Sequence, residues 1–405
     1  MITRHTYHER IAPFINVPVV KAITGMRRSG KSTFMLQLIE RLRNDSVSED
    51  DIVYLNMELF EHAELRTAKK FHDYIHGRAK GRHSKLYLFI DEVQEVHEWE
   101  RVINSLLAEN RYDIYITGSN AHLLSSELAT LLSGRYVELR MYTLSLQEQL
   151  ELTRLRDSNR SASDQFAYYI RYGGFPGLHY LPENDGVIRQ FLEAVYSTIV
   201  LNDLMTRYSL RDADLFQRVM LYLADNCGNL TSAKRVADFF KSEQRKAAVD
   251  TVMNYIHFAQ SAFLIERAQR YDVQGRRLLE VNDKYYMSDL GLRFAMRGYT
   301  PEMQSGQLEN AVYLELLRRG YTVHVGKTTL GEIDFIAIRG DEKHYYQVTA
   351  TLNDPKVVDR EYSAFDLVND HFPKTVLSLD PHFDTNYNGV QWQNLQLFLL
   401  GSSRF

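Results

Sequence analysis

A glycine-rich segment places the strongest constraint on how this chain can fold. Residues 25–32 read Gly-Met-Arg-Arg-Ser-Gly-Lys-Ser, after an apolar run at 19–24 and before an amphipathic pattern over 31–43. Glycines allow a tight loop whose backbone N–H groups converge, and a helix that starts there adds the positive end of its dipole. The segment therefore predicts a strand, an anion-binding turn and a helix in immediate succession.

The same segment predicts nucleotide binding, because it fits the pattern G-x-x-x-x-G-K-[S/T] between a strand and a helix. We expect Lys31 to contact the β- and γ-phosphates of ATP and the Ser32 hydroxyl to bind Mg²⁺. Arg27 and Arg28 receive no catalytic role, because side chains inside such a loop face either the nucleotide or the solvent. The expected nucleotide-contacting residues are Gly25, Met26, Arg27, Arg28, Ser29, Gly30, Lys31, Ser32 and Thr33.

Strand and helix patterns alternate through the first part of the chain. Such alternation is typical of an α/β fold with a parallel sheet covered by helices. Strands are predicted at about 19–24, 52–56, 86–90, 113–117 and 136–139, with helices at about 31–43, 67–78 and 97–109.

Acidic and polar residues follow two of these strands. Asp91 and Glu92 come directly after the apolar run Leu-Tyr-Leu-Phe-Ile at 86–90. We expect Asp91 to hold Mg²⁺ through water and Glu92 to polarise the water that attacks the γ-phosphate. Asn120, after the next strand, is expected to contact the γ-phosphate or that water, although Gly-Ser-Asn is also ordinary turn chemistry.

Composition limits the classes of protein that the chain can belong to. With 405 residues, 44% of them hydrophobic, it is long enough for two to four domains. The sequence contains no apolar run of the roughly 18 residues that span a bilayer, and its N-terminus is too polar for a signal peptide, which predicts a cytoplasmic protein. A single cysteine, Cys227, excludes intramolecular disulfides and is expected to be a buried thiol.

The net charge of −4 means that nucleic-acid binding would need a local basic patch.

Several motifs together resemble a large prokaryotic family of AAA-type ATPases whose C-terminal half is described as a domain of unknown function. The ATPase motifs are the glycine-rich segment, Ile-Asp-Glu-Val-Gln-Glu-Val at 90–96, Thr-Gly-Ser-Asn at 117–120 and Leu-Ser-Gly-Arg-Tyr at 132–136. The likeness continues through Tyr-Gly-Gly-Phe-Pro at 172–176, Lys-Tyr-Tyr-Met-Ser-Asp-Leu-Gly-Leu at 284–292 and Gly-Glu-Ile-Asp-Phe at 331–335. It therefore covers nearly the whole chain.

This resemblance implies a P-loop sheet with the strand order 5-1-4-3-2 and nucleotide at the carboxyl ends of its strands. It also implies a role for Arg135, which matches a family arginine just before the last strand. Its guanidinium can neutralise charge on the transferred phosphoryl group, within one chain or across a subunit contact. The alternative is a surface arginine that pairs with Glu138.

Four domains are predicted: an ATPase core at 1–150, a helical lid at 151–214, a winged helix at 215–299 and a restriction-endonuclease-like α/β domain at 300–405. Within the winged helix, the segment Asn-Leu-Thr-Ser at 229–232 is expected to cap a helix at 233–241, and a second helix at 246–260 is the one that would enter a major groove of DNA. Two strands are expected on either side of a turn at Gly275. Residues 231–280 hold nine Lys or Arg against six Asp or Glu. A winged helix with this local excess can contact DNA phosphates, but winged helices also bind proteins, so both partners stay open. The candidate DNA contacts are Lys234, Arg235, Lys246, Arg276 and Arg277.

The last hundred residues resemble a nuclease fold with an altered site. Glu309 on a helix and Asp334 on a strand match its metal-binding acids, with Glu332 as a third carboxylate. Gln347 and Thr349 stand where an acid and a lysine are expected. Because glutamine is a weaker Mg²⁺ ligand and threonine carries no charge, we expect the fold to persist and nucleic-acid cleavage to be lost.

The leading functional hypothesis is an ATP-hydrolysing switch or motor whose C-terminal domains bind a partner, either DNA or a protein. The alternatives are an ATP-regulated, metal-dependent nuclease and a nucleotide-binding scaffold with little turnover. The sequence leaves the oligomeric state open.

Overall fold

A computed structural model describes residues 2–118, 132, 134–155, 160–205, 210, 212–279, 282–300, 304–329, 331–383, 386–387 and 389–401. The chain forms two compact units, Met1–Tyr142 and Thr143–Phe405. The domain boundaries at 150, 214 and 299 remain predictions.

The first unit is built on a five-stranded sheet with the order β2-β3-β4-β1-β5, and all of its neighbouring strands are parallel. This confirms the predicted α/β fold class and strand order. Its strands are β1 (Val20–Thr24), β2 (Ile52–Asn56), β3 (Leu86–Asp91), β4 (Tyr112–Gly118) and β5 (Tyr136–Arg140). Its helices are α1 (His5–Ile11), α2 (Lys31–Asn44), α3 (Ala68–Ala79) and α4 (Trp99–Ala108), with 3₁₀ turns at Ala12–Phe14, Glu49–Asp51, Phe60–Arg66 and Val93–Glu95.

Helices cover both faces of this sheet, as a parallel sheet requires. Every residue of β1, β3 and β4 is buried. On one face Phe71 of α3 and Ile103 of α4 pack in a cluster with Leu88. On the other face Phe34 of α2 packs in a cluster with Phe89. This packing fixes the carboxyl ends of β1, β3 and β4 side by side at one edge.

The second unit combines helices with two further sheets. Its helices are α5 (Leu146–Arg154), α6 (Ala162–Tyr172), α7 (Asp185–Thr198, continued as a π-helix over Ile199–Met205), α8 (Ala213–Asp225), α9 (Ala233–Ser242), α10 (Val249–Ser261), α11 (Leu290–Arg297), α12 (Gln304–Arg318), α13 (Pro355–Ser363) and α14 (Leu395–Leu399), with a 3₁₀ turn at Pro176–Tyr180. Its strands are β6 (Leu230–Thr231), β7 (Ile265–Ala268), β8 (Arg270–Asp272), β9 (Arg277–Leu278), β10 (Asp283–Met287), β11 (Thr322–Lys327), β12 (Glu332–Arg339), β13 (Glu342–Val348), β14 (Lys374–Ser378), β15 (Asn386–Tyr387) and β16 (Val390–Asn394).

The segment predicted as a winged helix follows the order β6, α9, α10, β7 and β10. Its three strands form an antiparallel sheet in the order β6-β10-β7. The Ser232 hydroxyl caps α9 by accepting a hydrogen bond from the backbone N–H of Arg235, as expected from the sequence. The second helix begins at Val249, three residues later than predicted, so Lys246 precedes it.

The predicted wing differs from expectation. The hairpin of β8 and β9 pairs with β11 in parallel and extends the C-terminal sheet, which runs β15-β16-β14-β13-β12-β11-β8-β9. The sequence pattern indicated one hairpin around Gly275, because local alternation cannot show which neighbour a short strand will pair with. This pairing joins the winged-helix segment to the last domain through one sheet.

The C-terminal domain has the element order α12, β11, β12, β13, α13 and β14. Strands β11, β12 and β13 are antiparallel neighbours, and β14 lies parallel to β13. Helix α12 is buried along much of its length, including Leu308 and Tyr313. This arrangement brings residues of α12, β12 and β13 to one site.

The two glycine-containing family motifs at 172–176 and 284–292 pack against each other in the second unit. The buried carboxylate of Asp289 accepts hydrogen bonds from the Thr143 hydroxyl (2.6 Å) and from the backbone N–H groups of Gly174 and Gly291 (2.8 Å each). Gly173 has φ +77°, and a Cβ there would lie 2.0 Å from Asp289 Oδ1. The motifs at 172–176 and 284–292 therefore form one packing joint.

Among the helices of the described ranges, we find none that has both the length and the apolar character needed to cross a bilayer. The cytoplasmic location remains a prediction.

Candidate functional site

The glycine-rich loop lies at the carboxyl end of β1 and leads into α2. Gly25 has φ +140°, and a Cβ at this position would lie 2.2 Å from the carbonyl oxygen of Met141. Gly30, the residue before α2, has φ +101°. Both positions therefore require glycine, one for space and both for backbone conformation. The Lys31 side chain folds back over the loop and donates to the carbonyl oxygens of Gly25 (3.0 Å) and Met26 (3.2 Å).

Asp91 ends β3 and is fully buried. Its carboxylate accepts hydrogen bonds from the Tyr54 hydroxyl (3.1 Å) and the Thr117 hydroxyl (2.5 Å). The Thr117 oxygen also accepts from the backbone N–H of Glu92 (2.9 Å). One threonine on β4 therefore orients both Asp91, the last residue of β3, and Glu92, which follows it.

Glu92 adopts a left-handed backbone conformation, with φ 53° and ψ 56°. A non-glycine residue in this region costs on the order of 1–3 kcal/mol, and such strain is concentrated at functional sites. Its carboxylate accepts a hydrogen bond from Gln94 Nε2 (2.5 Å) and lies 3.9 Å from Lys31 Nζ. The structure thus brings Lys31, Asp91 and Glu92 together at one edge of the sheet.

The donor set at this edge fits a magnesium ion. Ser32 lies partly exposed in the first turn of α2, and the Asp91 carboxylate lies at the end of β3, which is separated from β1 by β4. The buried Ser29 hydroxyl has no hydrogen-bond partner within the described parts of the chain. Hydroxyl and carboxylate oxygens are hard ligands of the kind that Mg²⁺ prefers, together with phosphate oxygens and water.

Sequence reasoning missed three residues of this site. Tyr54 and Thr117 both donate a hydrogen bond to Asp91. Thr117 lies near the carboxyl end of β4, which is a signal that could have identified it, whereas Tyr54 lies in the middle of β2. Arg4 donates to the carbonyl oxygens of Ser29 (3.4 Å) and Tyr142 (3.0 Å) and so connects the glycine-rich loop to the residue that ends the first unit. No local pattern links Arg4 to a loop so far along the chain.

Two further residues, Asn120 and Arg135, were predicted to take part in ATP hydrolysis. Asn120 lies outside the described residues. Arg135 directly precedes β5, whose first residue pairs with Val20 at the start of β1. The phosphate-binding loop follows the other end of β1, roughly 16 Å away at about 3.3 Å per residue. Contact between Arg135 and a nucleotide bound to the same chain is therefore excluded, which corrects the first of the two options.

The alternative, a pairing of Arg135 with Glu138, is also corrected. The Arg135 guanidinium donates to Asn104 Oδ1 (3.1 Å). Glu138 instead accepts a hydrogen bond from the Thr24 hydroxyl (2.6 Å) at the end of β1. Because β5 is parallel to β1, Glu138 lies beyond Arg135 toward the nucleotide edge.

The candidate DNA contacts are all exposed but do not share one element. Lys234 and Arg235 lie on α9, Lys246 precedes α10, and Arg276 and Arg277 belong to the hairpin that extends the C-terminal sheet. The sequence of α10, the helix expected in a major groove, contains no lysine or arginine.

The site predicted as an altered nuclease site contains a cation that the sequence did not indicate. Lys284 of β10 is buried, and its ammonium lies 2.8 Å from Glu309 Oε1, 2.6 Å from Glu332 Oε1 and 3.5 Å from Asp334 Oδ1. The Tyr286 hydroxyl also donates to Glu309 (2.5 Å). We call Lys284, Glu309, Glu332 and Asp334 the lysine–carboxylate cluster. A lysine thus enters the site from β10 rather than from position 349.

The two substituted positions make structural hydrogen bonds. Gln347 accepts from the backbone N–H of Asp334 (2.6 Å) and donates to the carboxylate of buried Glu361 (2.9 Å). Thr349 donates to the carbonyl oxygen of Thr351 (3.3 Å). Gln347 therefore connects β12 to α13, and Thr349 belongs to a turn.

The strand, glycine-rich loop and helix, with two acids at the end of another strand of the same sheet, define a P-loop ATPase of the AAA class. Residues 18–150 match the family described as an AAA domain, and residues 163–303 match a domain of unknown function, DUF8612. An uncharacterized protein of Haemophilus influenzae is 35% identical over 393 residues, which cover 96% of each chain. The chain therefore belongs to the family of AAA-type ATPases that carry this domain of unknown function, and the resemblance drawn from the motifs is confirmed.

Two further proteins are similar to the chain. An uncharacterized protein of Methanocaldococcus jannaschii is 27% identical over 358 residues, covering 86% of this chain and 78% of that protein. The solved structure of a Walker-type ATPase of Pyrococcus abyssi is 13% identical with a TM-score of 0.49, and the match covers 73% of this chain and 95% of that one.

Proposed function

We propose that the chain binds and hydrolyses ATP and acts as a molecular switch or motor on a partner held by its C-terminal unit. The observation that carries this proposal is the convergence of Lys31, Asp91 and Glu92 at the carboxyl edge of the sheet. A protein that only bound nucleotide would need no strained carboxylate beside the lysine.

In this proposal the β- and γ-phosphate oxygens of ATP replace the carbonyl oxygens of Gly25 and Met26 as acceptors for the Lys31 ammonium. Backbone N–H groups of the loop and the start of α2 face the phosphates. Glu92, oriented by Thr117 and Gln94, takes a proton from the attacking water. Ser32 and Asp91 would hold Mg²⁺, which neutralises charge on the phosphates when it is bound.

The test is ATP binding and turnover in two variants. Lys31→Ala should weaken ATP binding by about 100-fold or more, because charged hydrogen bonds to two phosphates contribute about 1.5–3 kcal/mol each. Glu92→Gln should keep ATP affinity and lose about 100-fold or more in turnover, since a general base supplies about 10²–10⁴. Lys69→Ala, an exposed lysine on α3, is the matched control. Unchanged affinity in Lys31→Ala, or normal hydrolysis in Glu92→Gln, contradicts the assignment.

For the partner of the C-terminal unit, the exposed face of α10 favours a protein over duplex DNA. That face presents Val249 (40% exposed), Met253 (56% exposed), Asp250, Asn254 and His257. It offers apolar contact area and no permanent positive charge for phosphates. If DNA does bind, reversing the charges of Lys234, Arg235, Lys246, Arg276 and Arg277 should flatten the salt dependence of its affinity. Salt-dependent binding that survives this reversal would place the DNA elsewhere.

We further propose that the lysine–carboxylate cluster does not cleave nucleic acid. The Lys284 ammonium lies among the three carboxylates that a catalytic metal would need, and Gln347 bonds Glu361 and the backbone of Asp334 instead of offering a charged ligand. Incubation of the chain with DNA or RNA in Mg²⁺ or Mn²⁺, with and without ATP, should give no products. Cleavage that disappears in Asp334→Ala would establish the nuclease alternative.

A further inference from the structure

Two histidines and a glutamate meet on the first unit, away from the nucleotide edge. His72 and His76 lie one turn apart on α3, with ring centroids 4.2 Å apart and ring planes inclined by 46°. His76 Nε2 lies 3.0 Å from Oε1 of Glu109, the residue that follows α4. The core-facing side of α3 is formed by other residues, including Phe71 and Ile75. The three side chains are therefore not needed to fill the core.

Their donor atoms are close enough to share one metal ion. One ring nitrogen from each histidine and one carboxylate oxygen all lie within 4.8 Å of one another. Ligands of a tetrahedral zinc ion are about 3.3 Å apart, given bond lengths of about 2.0–2.1 Å. The side chains of His72, His76 and Glu109 are 34%, 39% and 28% exposed, so small rotations can close the gap and an ion can enter from solvent.

A buried hydroxyl lies behind this group. Tyr112, at the start of β4, is only 2% exposed, and its hydroxyl has no hydrogen-bond partner within the described residues. Its ring stands edge-on to His76, with centroids 6.5 Å apart. This hydroxyl is therefore available as an outer donor to a metal-bound Glu109, and outer donors of this kind orient metal ligands.

We propose that His72, His76 and Glu109 form a zinc site that fastens α3 to the end of α4. Two imidazoles and one carboxylate suit Zn²⁺, whereas Mg²⁺ prefers a set of oxygen ligands. The site lies at the amino edge of the sheet, because Tyr112 begins β4 and the nucleotide site lies where the strands end. The seven residues of β4 separate the two edges by roughly 20 Å. Zinc binding is therefore expected to be independent of ATP and Mg²⁺.

The experiment is calorimetric titration of the EDTA-treated, full-length chain with zinc chloride, repeated with Co²⁺ as a spectroscopic probe. We expect one equivalent of Zn²⁺ to bind, an excess of Mg²⁺ not to compete, and bound Co²⁺ to show visible absorption bands of low-symmetry coordination. His72→Gln and Glu109→Gln should each lower the affinity at least about tenfold. His83→Gln, an exposed histidine of the same unit, should bind as the unchanged chain does.

A stability measurement separates a metal site from a simple ion pair between His76 and Glu109. With zinc, Tm should rise in the unchanged chain and in His83→Gln, but not in His72→Gln. His72→Gln keeps the ion pair, so it should match the unchanged chain in EDTA. Equal zinc affinity in the unchanged chain and in the variant with all three ligands replaced by Gln would overturn the proposal, as would the absence of zinc binding.

Discussion

Replacing Lys284 with methionine tests whether the lysine–carboxylate cluster stabilises the second unit. Methionine keeps most of the length of the side chain but removes the ammonium from between Glu309, Glu332 and Asp334. The Lys284 side chain is 4% exposed and that of Glu309 is 12% exposed, so water replaces little of the lost attraction. Breaking a buried ion pair by removing one partner costs about 3–5 kcal/mol, because an uncompensated charge stays buried.

The assay is thermal unfolding followed by calorimetry. Since 1 kcal/mol shifts Tm by roughly 2–4 °C in a domain of this size, Tm of the second unit should fall by on the order of 10 °C. Lys343→Met is a matched control in the same unit, because its partner Asp370 is 29% exposed and such pairs contribute about 0–1 kcal/mol. The second change Glu309→Gln should restore part of the stability lost in Lys284→Met, since it removes one of the stranded charges.

The pH dependence of Lys284→Met gives an independent check. Burial alone would lower the pKa of Lys284, but the carboxylates of Glu309, Asp334 and Glu332 raise it above its ordinary value. The stabilisation by Lys284 is thus present through neutral pH and is lost only as the pH rises through that raised pKa. Burial raises the pKa of Glu309 even beside the lysine. Without the lysine, the folded form binds protons more tightly than the unfolded form. The loss of Tm caused by Lys284→Met should therefore become smaller as the pH is lowered from about 8 to about 5. A Tm within about 2 °C of the unchanged chain at both pH values would refute the reasoning.

Three further predictions concern the packing joint, the cysteine and the subunit contact. Gly173→Ala should lower the stability of the second unit by more than Gly298→Ala. Both glycines have φ near +75°, but only a Cβ at position 173 would clash with Asp289. Equal losses of stability in the two variants would show that the clash is not the cause. Cys227 should resist alkylation in the folded chain below about pH 9, because burial raises the pKa of its thiol to about 11, and fast labelling would contradict its burial. If Arg135 acts across a subunit contact, Arg135→Ala should bind ATP without turnover, and mixing it with Lys31→Ala should restore part of the activity. Full turnover of Arg135→Ala alone would show a surface role.

Much of the nucleotide site was readable from the sequence, because its parts are local. Gly25, Gly30 and Lys31 are contiguous in the chain, and their spacing alone fixes a loop between a strand and a helix. Asp91 and Glu92 follow a buried strand, and the carboxyl ends of parallel strands meet at one edge. The order of the five strands came from the family resemblance and is confirmed.

Contacts between distant segments required the tertiary structure. Strand alternation does not show that β8 pairs with β11, and nothing near Lys284 indicates that it lies beside Glu309, Glu332 and Asp334. The sequence led to a site without its lysine, since only position 349, two residues after Gln347, was considered as the place for a lysine. Thr117 and Arg4 were missed for the same reason. Helices, strands and loop motifs depend on interactions between residues that are close in the sequence, so the sequence pattern indicates them. The position of a buried charge such as Lys284 depends on which strands pair and on which carboxylates lie in the core, and only the tertiary structure shows this.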